Sequence, residues 1–569
     1  MRIERIIQKN GTSTDLGKIS ILVGANNVGK SQTLRDIHQR MQNGSNSKFV
    51  LLKEIVFQKP ESFEDLLTNI EVSEIPHNPS NRIVTGINST LTGQDRFEIA
   101  YDILKQQFND NNVDGILGNI AKFKVSHLDS STRLRLVTTT NSFDLTNESP
   151  ANILQNLFKR NENEAFLKSA FKEAFEMEVM LDYSAMKNLC LRVAKNIPPI
   201  SEDPREAYSV TKDFSKIDDQ GDGFKSFVGI ILSILFSGDR IVLLDEPEAF
   251  LHPAQARYLG KWIADNSDKL SGQIIIATHN SHFLQGLLQG ATEVNIFRLN
   301  RNDDDTTFNL IPPNATNNLA QSPMLASQRV LEAIFHKAVV VCEADADRIV
   351  YQTISTSCHN NQEILFVHSH NKQTLGKVAS LLDAAQIPVG VIVDIDILND
   401  ENEFKNLFSE VTNEAASSEL LENRNEIAKS VDKIPEQQVL DKLKDDVSEF
   451  LDQLKNNKHT LDGARGALNR IKKDNSKWDE PKKKGINGFD EAIVSKVKDF
   501  IEELNNKKIF IVPVGGLEGW MDLGTTKKNK WIVSALDTIF APRTPEQEQI
   551  LNPLTDFIKM VLTKVKKVS

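Results

Sequence analysis

The chain has 569 residues, 40% of them hydrophobic and 25% charged, and carries a formal net charge of −11. That length suggests several units of ordinary domain size, and the composition is that of a globular protein. The negative balance argues against a general polyanion binder, though not against local basic patches, and three cysteines at unrelated spacings (Cys190, Cys342, Cys358) exclude a disulfide framework or a cysteine-type zinc site.

The opening residues, MRIERIIQKN, mix both charges and lack the apolar core of a secretory signal. The longest apolar stretch, Phe227 to Phe236, is about half of the ~20 residues that span a bilayer. A cytoplasmic protein without membrane segments is expected. A strand at Ile3–Ile7 is predicted to hairpin with Ile19–Val23 through the turn signal Asn10-Gly11. Gly24-Ala-Asn-Asn-Val-Gly-Lys-Ser31 then fits G-x-x-x-x-G-K-[ST], between an apolar strand and a helical pattern at Thr33, Leu34 and Ile37. That context is what a P-loop requires. Gly24 and Gly29 let the backbone curl so that its N–H groups face an anion, with Asn26 and Asn27 inside the loop and Gln32 just after it. Lys30 is expected at the β/γ-phosphates and Ser31 on Mg²⁺.

Phe49–Val56 reads as a strand. Residues 60–200 alternate strand-like pieces (Arg133–Val137) with helical ones (Ala165–Val179, Met186–Val193) and carry no chemical motif. A helical dimerisation insertion is expected at about 110–205. Asp219–Ser226 is a glycine-rich turn opening an apolar helix. Arg240–Glu248 holds a continuous apolar run ending in Asp245 and Glu246, the pattern of a parallel strand covered on both faces. Gln273–Thr278 repeats it and ends at His279. Open α/β sheets place ligands at the carboxyl ends of their strands. Asp245 is read as the acid holding Mg²⁺, Glu246 as the group that orients or deprotonates water, and His279 as the γ-phosphate sensor. Taken singly, each could be a solvated strand end.

A polar hairpin tip is expected at Arg301–Thr306 and a linker near residue 325. The ATPase domain is placed at 1–325 and a second α/β domain at 326–569. Its strand Ala338–Cys342 ends at Glu343, and Val389–Val393 ends in Asp394-Ile-Asp396. Residues 400–505 are charged with helical periodicity, a helical insertion before the strand Lys508–Val512. Glu343, Asp347, Asp394 and Asp396 at neighbouring strand ends would repel unless a hard divalent cation, Mg²⁺ or Mn²⁺, relieved them. Acids that merely cap strand ends are the other reading.

Leu244–Pro253 resembles the Walker B and D-loop of the ABC/SMC-like ATPases, and Ala277-Thr-His279 their switch histidine. Gln220–Ser226 sits where that superfamily has its Ser-Gly-Gly signature, here a Gly-Asp-Gly arrangement. Glu343-Ala-Asp-Ala-Asp347 with Asp394-Ile-Asp396 resembles the Toprim domain, with Ala344 for its glycine, and Gly516-Leu-Glu518 its later acid, a further metal position. ABC ATPase followed by Toprim is similar to the OLD (overcoming lysogenization defect) nucleases, which include Gabija-type nuclease subunits and retron-associated effectors. The resemblance implies an ATP-regulated, Mg²⁺- or Mn²⁺-dependent DNA endonuclease in antiphage defence. It also implies double-stranded DNA as substrate and a homodimer or homotetramer built through the ATPase domains. A helicase subunit or a retron reverse transcriptase–DNA complex is a possible partner. A RecF-like clamp that binds DNA ends without cutting, and a topoisomerase-like enzyme, are the alternatives; none of the five tyrosines sits in a recognisable strand-passage module. Basic candidates for DNA contact are Lys482–Lys484, Lys527–Lys530 and Lys564–Lys567.

Overall fold

The computed structural model describes residues 1–68, 70–75, 78–86, 97–146, 148, 150–236, 240–267, 272–290, 294–303, 305–315, 331–369, 372–432, 436–456, 460–474, 477–525 and 528–566. The linker expected near residue 325 lies outside these, as do Asp304, Lys527 and Lys567. The chain divides into two compact units, Met1–Phe335 and His336–Ser569.

The first unit is built on β1 (Ile19–Val23), α1 (Lys30–Asn43), β2 (Val125–Leu128), α2 (Ser130–Arg135), α3 (Asp222–Leu235), β3 (Ile241–Asp245), β4 (Gln273–Ala277), β5 (Asn295–Asn302) and β6 (Asp305–Leu310). The sheet order is β6-β5-β1-β4-β3-β2, parallel except for the β5/β6 hairpin. β1, β3 and β4 are buried at every position, which is why their apolar runs do not alternate. Asp245 pairs with Ala277, and Ala277 with Leu22. The ends of these strands therefore lie side by side, next to the loop that follows β1. Phe227, Ile230, Ile231 and Ile234 of α3 are fully buried, each contributing about 1.5–3 kcal/mol relative to exposure.

Several expectations are corrected here. Arg2–Gln8 hairpins with Ser13–Asp15 and pairs with Leu52–Gln58, while Ile19–Val23 joins the parallel sheet. The turn signal was right, but the near partner wins because Ile19–Val23, buried on both faces, belongs in the core. Arg133–Val137 opens in a helix, because Asp129 caps α2 by accepting from the Thr132 N–H at 2.7 Å. Asn188–Ala194 is a strand, not a helix; it pairs antiparallel with Glu178–Asp182 across a tight turn in which Met186 adopts φ 64°. The expected helical insertion at 110–205 is thus mixed, and β2 inside it is a strand of the main sheet.

The second unit carries β7 (Ala338–Cys342), α4 (Asp345–His359), β8 (Ile364–His368), α5 (Lys372–Ala384), β9 (Val389–Val393), α6 (Asp479–Lys484) and β10 (Ile509–Ile511). The sheet runs β8-β7-β9-β10, all parallel. Residues 401–506 are helical wherever a regular element is described. The return end of this segment is fastened to the loop after β10. The Ile486 N–H donates to the Pro513 carbonyl at 2.9 Å. At Gly485 an added Cβ would meet that same oxygen at 1.9 Å, and at Gly515 the Lys482 carbonyl at 2.2 Å. Both glycines have positive φ, 59° and 101°. No helix among the described residues is long and apolar enough to cross a membrane.

Candidate functional site

In the first unit the loop after β1 wraps back on itself. Gly24 and Gly29 have φ of 136° and 103°, and Asn27 also lies in the left-handed region at 64°. A Cβ on Gly24 would come within 2.5 Å of the Leu299 carbonyl of β5. α1 starts without a side-chain cap. Its first-turn N–H groups and its dipole are therefore directed at the loop, an anion-binding arrangement. Lys30 Nζ donates to the Gly24 and Ala25 carbonyls at 2.8 and 2.9 Å. Burial draws its pKa down, while Glu246, Glu248 and Asp245 oppose that. The Ser31 hydroxyl donates to Asp245 Oδ1 at 2.7 Å, so the two expected Mg²⁺ ligands are in contact. Asn26, within the loop, is exposed. Gln32 is turned away from it, donating to Asp36 Oδ1 at 2.9 Å.

Glu246 follows Asp245 in a left-handed conformation, φ 48°. Its Oε1 lies 3.1 Å from His279 Nδ1, and both side chains are nearly half exposed. Glu248 lies behind them, buried, 3.5 Å from the same nitrogen and accepting from Thr278 Oγ1 at 2.8 Å. Burial pushes the Glu248 carboxyl up. Arg133 was not expected here. Its guanidinium is fully buried under the Asp245–Glu246 backbone. The misread of α2 as a strand hid it.

In the second unit the ends of β7 and β9 are adjacent, because Cys342 pairs with Ile392. Glu343 and Asp394 follow directly. Asp347, on the first turn of α4, accepts from the Ala344 N–H at 3.0 Å. Asp345, the middle acid of Glu343-Ala-Asp-Ala-Asp347, faces Arg348 at 2.7 Å and His368 at 3.3 Å. Burial, then repulsion from Glu343, Asp347 and Asp396, pushes the Asp394 carboxyl well above its usual range. Burial likewise raises Glu343 and Asp347, with Asp396 and Glu518 respectively adding repulsion. Burial would raise Asp396 too, but Lys372 and Lys482 outweigh it and hold this carboxyl below its usual range. Lys372 Nζ lies 2.9 Å from Asp396 Oδ1, and Lys482 Nζ 3.0 Å from Oδ2. Lys528 reaches Asp347 Oδ1 at 3.5 Å and senses Glu518 as well. The three lysines come from the start of α5, from α6 and from beyond β10, separations that conceal their convergence in the sequence.

Among the described residues no group of three or more carboxylate, imidazole or thiol side chains is already placed to hold a metal ion. The donor set nonetheless fits a hard divalent cation. It is all carboxylate, burial and then mutual repulsion raise Glu343, Asp347 and Asp394, and Glu343 Oε2 is buried with no hydrogen-bond partner. Gly516 faces the Asp394 carboxylate, and an added Cβ there would lie 3.5 Å from Oδ2.

Two families match the chain. One, described as "AAA domain, putative AbiEii toxin, Type IV TA system", matches residues 140–285, which include Asp245, Glu246 and His279. The other, described as "Overcoming lysogenization defect protein-like, TOPRIM domain", matches residues 334–396, which include Glu343, Asp347, Asp394 and Asp396. No curated protein matches. Among solved structures, an SMC head bound to the C-terminal winged-helix domain of ScpA is 13% identical, with 55% of this chain and 98% of that one covered and a TM-score of 0.33. The SMC head domain from Thermotoga maritima is 14% identical, covering 55% and 100%, TM-score 0.29. The Pyrococcus furiosus Smc head with an extended coiled coil, bound to the C-terminal domain of ScpA, is 12% identical, covering 54% and 96%, TM-score 0.30. An α/β ATPase domain followed by an OLD-like Toprim domain is what this chain contains, and that pairing matches the ATPase–Toprim proteins of the overcoming lysogenization defect family.

Proposed function

We propose that the chain is an ATP-regulated, divalent-metal-dependent DNA endonuclease acting in antiphage defence. The observation that carries the reading is the unpartnered, buried Glu343 Oε2 among carboxyls that burial and mutual repulsion hold back from ionising. Glu343, Asp347, Asp394, Asp396 and Glu518 are the residues that would hold Mg²⁺ or Mn²⁺. When bound, such ions supply a lowered water pKa and neutralise charge on the attacking and leaving oxygens of a phosphodiester. Lys372 and Lys482 keep Asp396 ionised, and Lys528 balances Asp347; these ammonium groups also favour an approaching phosphate.

At the other site, Lys30, Ser31 and the uncapped start of α1 are suited to the phosphates of ATP, with Ser31 and Asp245 as the Mg²⁺ ligands. Glu246 accepts a proton from, or aligns, the attacking water, and His279 holds Glu246 in place. Double-stranded DNA is the proposed substrate. A second copy joined through the ATPase domain, as a homodimer or within a homotetramer, is the proposed assembly. A helicase subunit or a retron reverse transcriptase–DNA complex is the proposed class of further partner, in the cytoplasm.

The test is cleavage of supercoiled plasmid with Mg²⁺ or Mn²⁺, with and without ATP, by the wild type and Asp394→Ala. Nicked or linear product from the wild type alone is expected. Equal cutting by both proteins would remove the acid cluster from the reaction. DNA binding without cutting by the wild type would favour the clamp-like alternative.

A further inference from the structure

Arg133 lies beneath the ATPase site, where it reaches the Asp245 and Glu246 backbone rather than their carboxylates, and all five of its donors find acceptors. A guanidinium has five N–H donors in a fixed fork. Here Nε donates to Ser226 Oγ at 3.0 Å. Nη1 donates to the Leu128 carbonyl at 3.0 Å and the Asp245 carbonyl at 2.6 Å. Nη2 donates to the Glu246 carbonyl at 3.0 Å and reaches Ser130 Oγ at 3.5 Å. Five donors thus meet five acceptors from four segments: the end of β2, the start of α2, the signature-like helix α3 and the end of β3. Arg133 and Ser226 are both fully buried. The charge is balanced by Asp245, Glu246, Glu248 and Asp129 around it.

Two of those acceptors are the backbone carbonyls of the acids proposed for nucleotide chemistry. Glu246 has φ 48°, a conformation that costs a non-glycine residue energy and persists only when its surroundings over-determine it. Its N–H is held by the Ala277 carbonyl at 2.8 Å and its carbonyl by Arg133. The same side chain grips α3, whose backbone packs directly on α2: an added Cβ at Gly229 would meet the Arg133 carbonyl at 2.6 Å.

We infer that Arg133 is a positioning residue that ties the signature-like helix, through Ser226, to the Asp245–Glu246 backbone, so that the seating of that helix sets the aim of Glu246. The inference rests on the ATPase reading of this site. An event at the start of α3 thereby reaches the hydrolytic acid without touching the P-loop.

The experiment uses the full chain. ATP affinity, kcat, KM and Tm are measured for the wild type, Ser226→Ala, Arg133→Lys, and each combined with Glu246→Gln. Arg133→Lys keeps the charge but has three donors for five acceptors. Ser226→Ala cuts only the link to α3. Both variants are expected to keep ATP affinity within about twofold, while kcat falls, roughly 100-fold for Arg133→Lys, the size expected when a catalytic group is misplaced by about 1 Å. In the Glu246→Gln background the further loss should vanish, since Arg133 acts through that residue. Hydrogen–deuterium exchange over residues 244–249 should rise in Ser226→Ala. Wild-type kcat in both variants would overturn the inference. So would equal loss with and without Glu246, or parallel losses of Tm, affinity and kcat in Ser226→Ala. If the wild type binds ATP but does not turn it over, the hydrolysis reading fails, and the exchange result alone then decides for or against the tie.

Discussion

Asp394→Asn separates the two forces acting on the acid cluster. Glu343, Asp347, Asp394, Asp396 and Glu518 place five carboxylates against the three ammonium groups of Lys372, Lys482 and Lys528. Asp394 has three repulsive neighbours, Glu343, Asp347 and Asp396, and one attractive one, Lys528. Two unit charges about 6 Å apart interact by about 3 kcal/mol at an effective dielectric of 20. Proton uptake by the crowded acids limits what the metal-free fold suffers, so the net relief on neutralising Asp394 is about 1–3 kcal/mol. For a unit of this size each kcal/mol moves Tm by about 2–4 °C. The metal-free variant should therefore melt at least about 2 °C above the wild type. Added cation acts the opposite way. At a Mg²⁺ concentration tenfold above Kd the wild type gains about 1.4 kcal/mol, and Asp394→Asn should lose most of that gain. Differential scanning fluorimetry in EDTA and in Mg²⁺ reads both effects without any substrate. A metal-free variant less stable than the wild type, or one stabilised equally by Mg²⁺, would refute the electrostatic account of the cluster.

The pH dependence follows from the same groups. Glu343, Asp347 and Asp394 have folded pKa values raised above their unfolded ones, so the folded state binds more protons in that interval. Their contribution to metal-free stability is therefore lost as pH rises from the ordinary carboxylate range through the raised values, and Mg²⁺ should stabilise more at pH 8 than at pH 6; calorimetry at the two pH values checks the sign. Glu246→Gln should bind ATP as the wild type does but hydrolyse it about 10²–10⁴-fold more slowly, and full turnover would take Glu246 out of the reaction. Lys30→Ala should lose ATP affinity, measured by titration calorimetry, because its Nζ lies among the Gly24 and Ala25 carbonyls at the phosphate cradle; an unchanged Kd would contradict the P-loop reading.

The parts of the chain that could be read in advance are those in which neighbours in sequence are also neighbours in chemistry. Gly24 to Ser31 is one unbroken stretch running from the loop into the first residues of α1, and Asp245 and Glu246 close one apolar strand, so pattern and function coincide. Arg133 could not be read, because its five acceptors come from segments scattered between Leu128 and Glu246. The alternation Arg133-Leu-Arg-Leu-Val137 also mimics a strand, and only the Asp129 cap turns it into a helix. Lys482 and Lys528 are legible as members of basic runs, and Lys372 is not, but none of them is legible as a partner of the acids: only the fold brings the three onto the carboxylates. Gln32 shows the converse, a residue inside the expected cradle whose amide serves Asp36.

The backbone-to-backbone fastening of residues 485–488 onto the loop after β10 bears on how the chain can be shortened. Gly485, Gly488 and Gly515 lie where added Cβ atoms would come within 1.9 to 2.4 Å of neighbouring carbonyl oxygens. Lys482, on the same stretch, is a counter-ion of Asp396. A minimal version of the second unit must keep 418–432, where Leu420, Arg424, Ile427 and Val431 are buried and Arg424 donates to the Asn399 carbonyl, and any splice must rejoin ahead of Trp478, also a buried residue. Removing the whole of 400–505 would take away a wall of the acid site along with the helices.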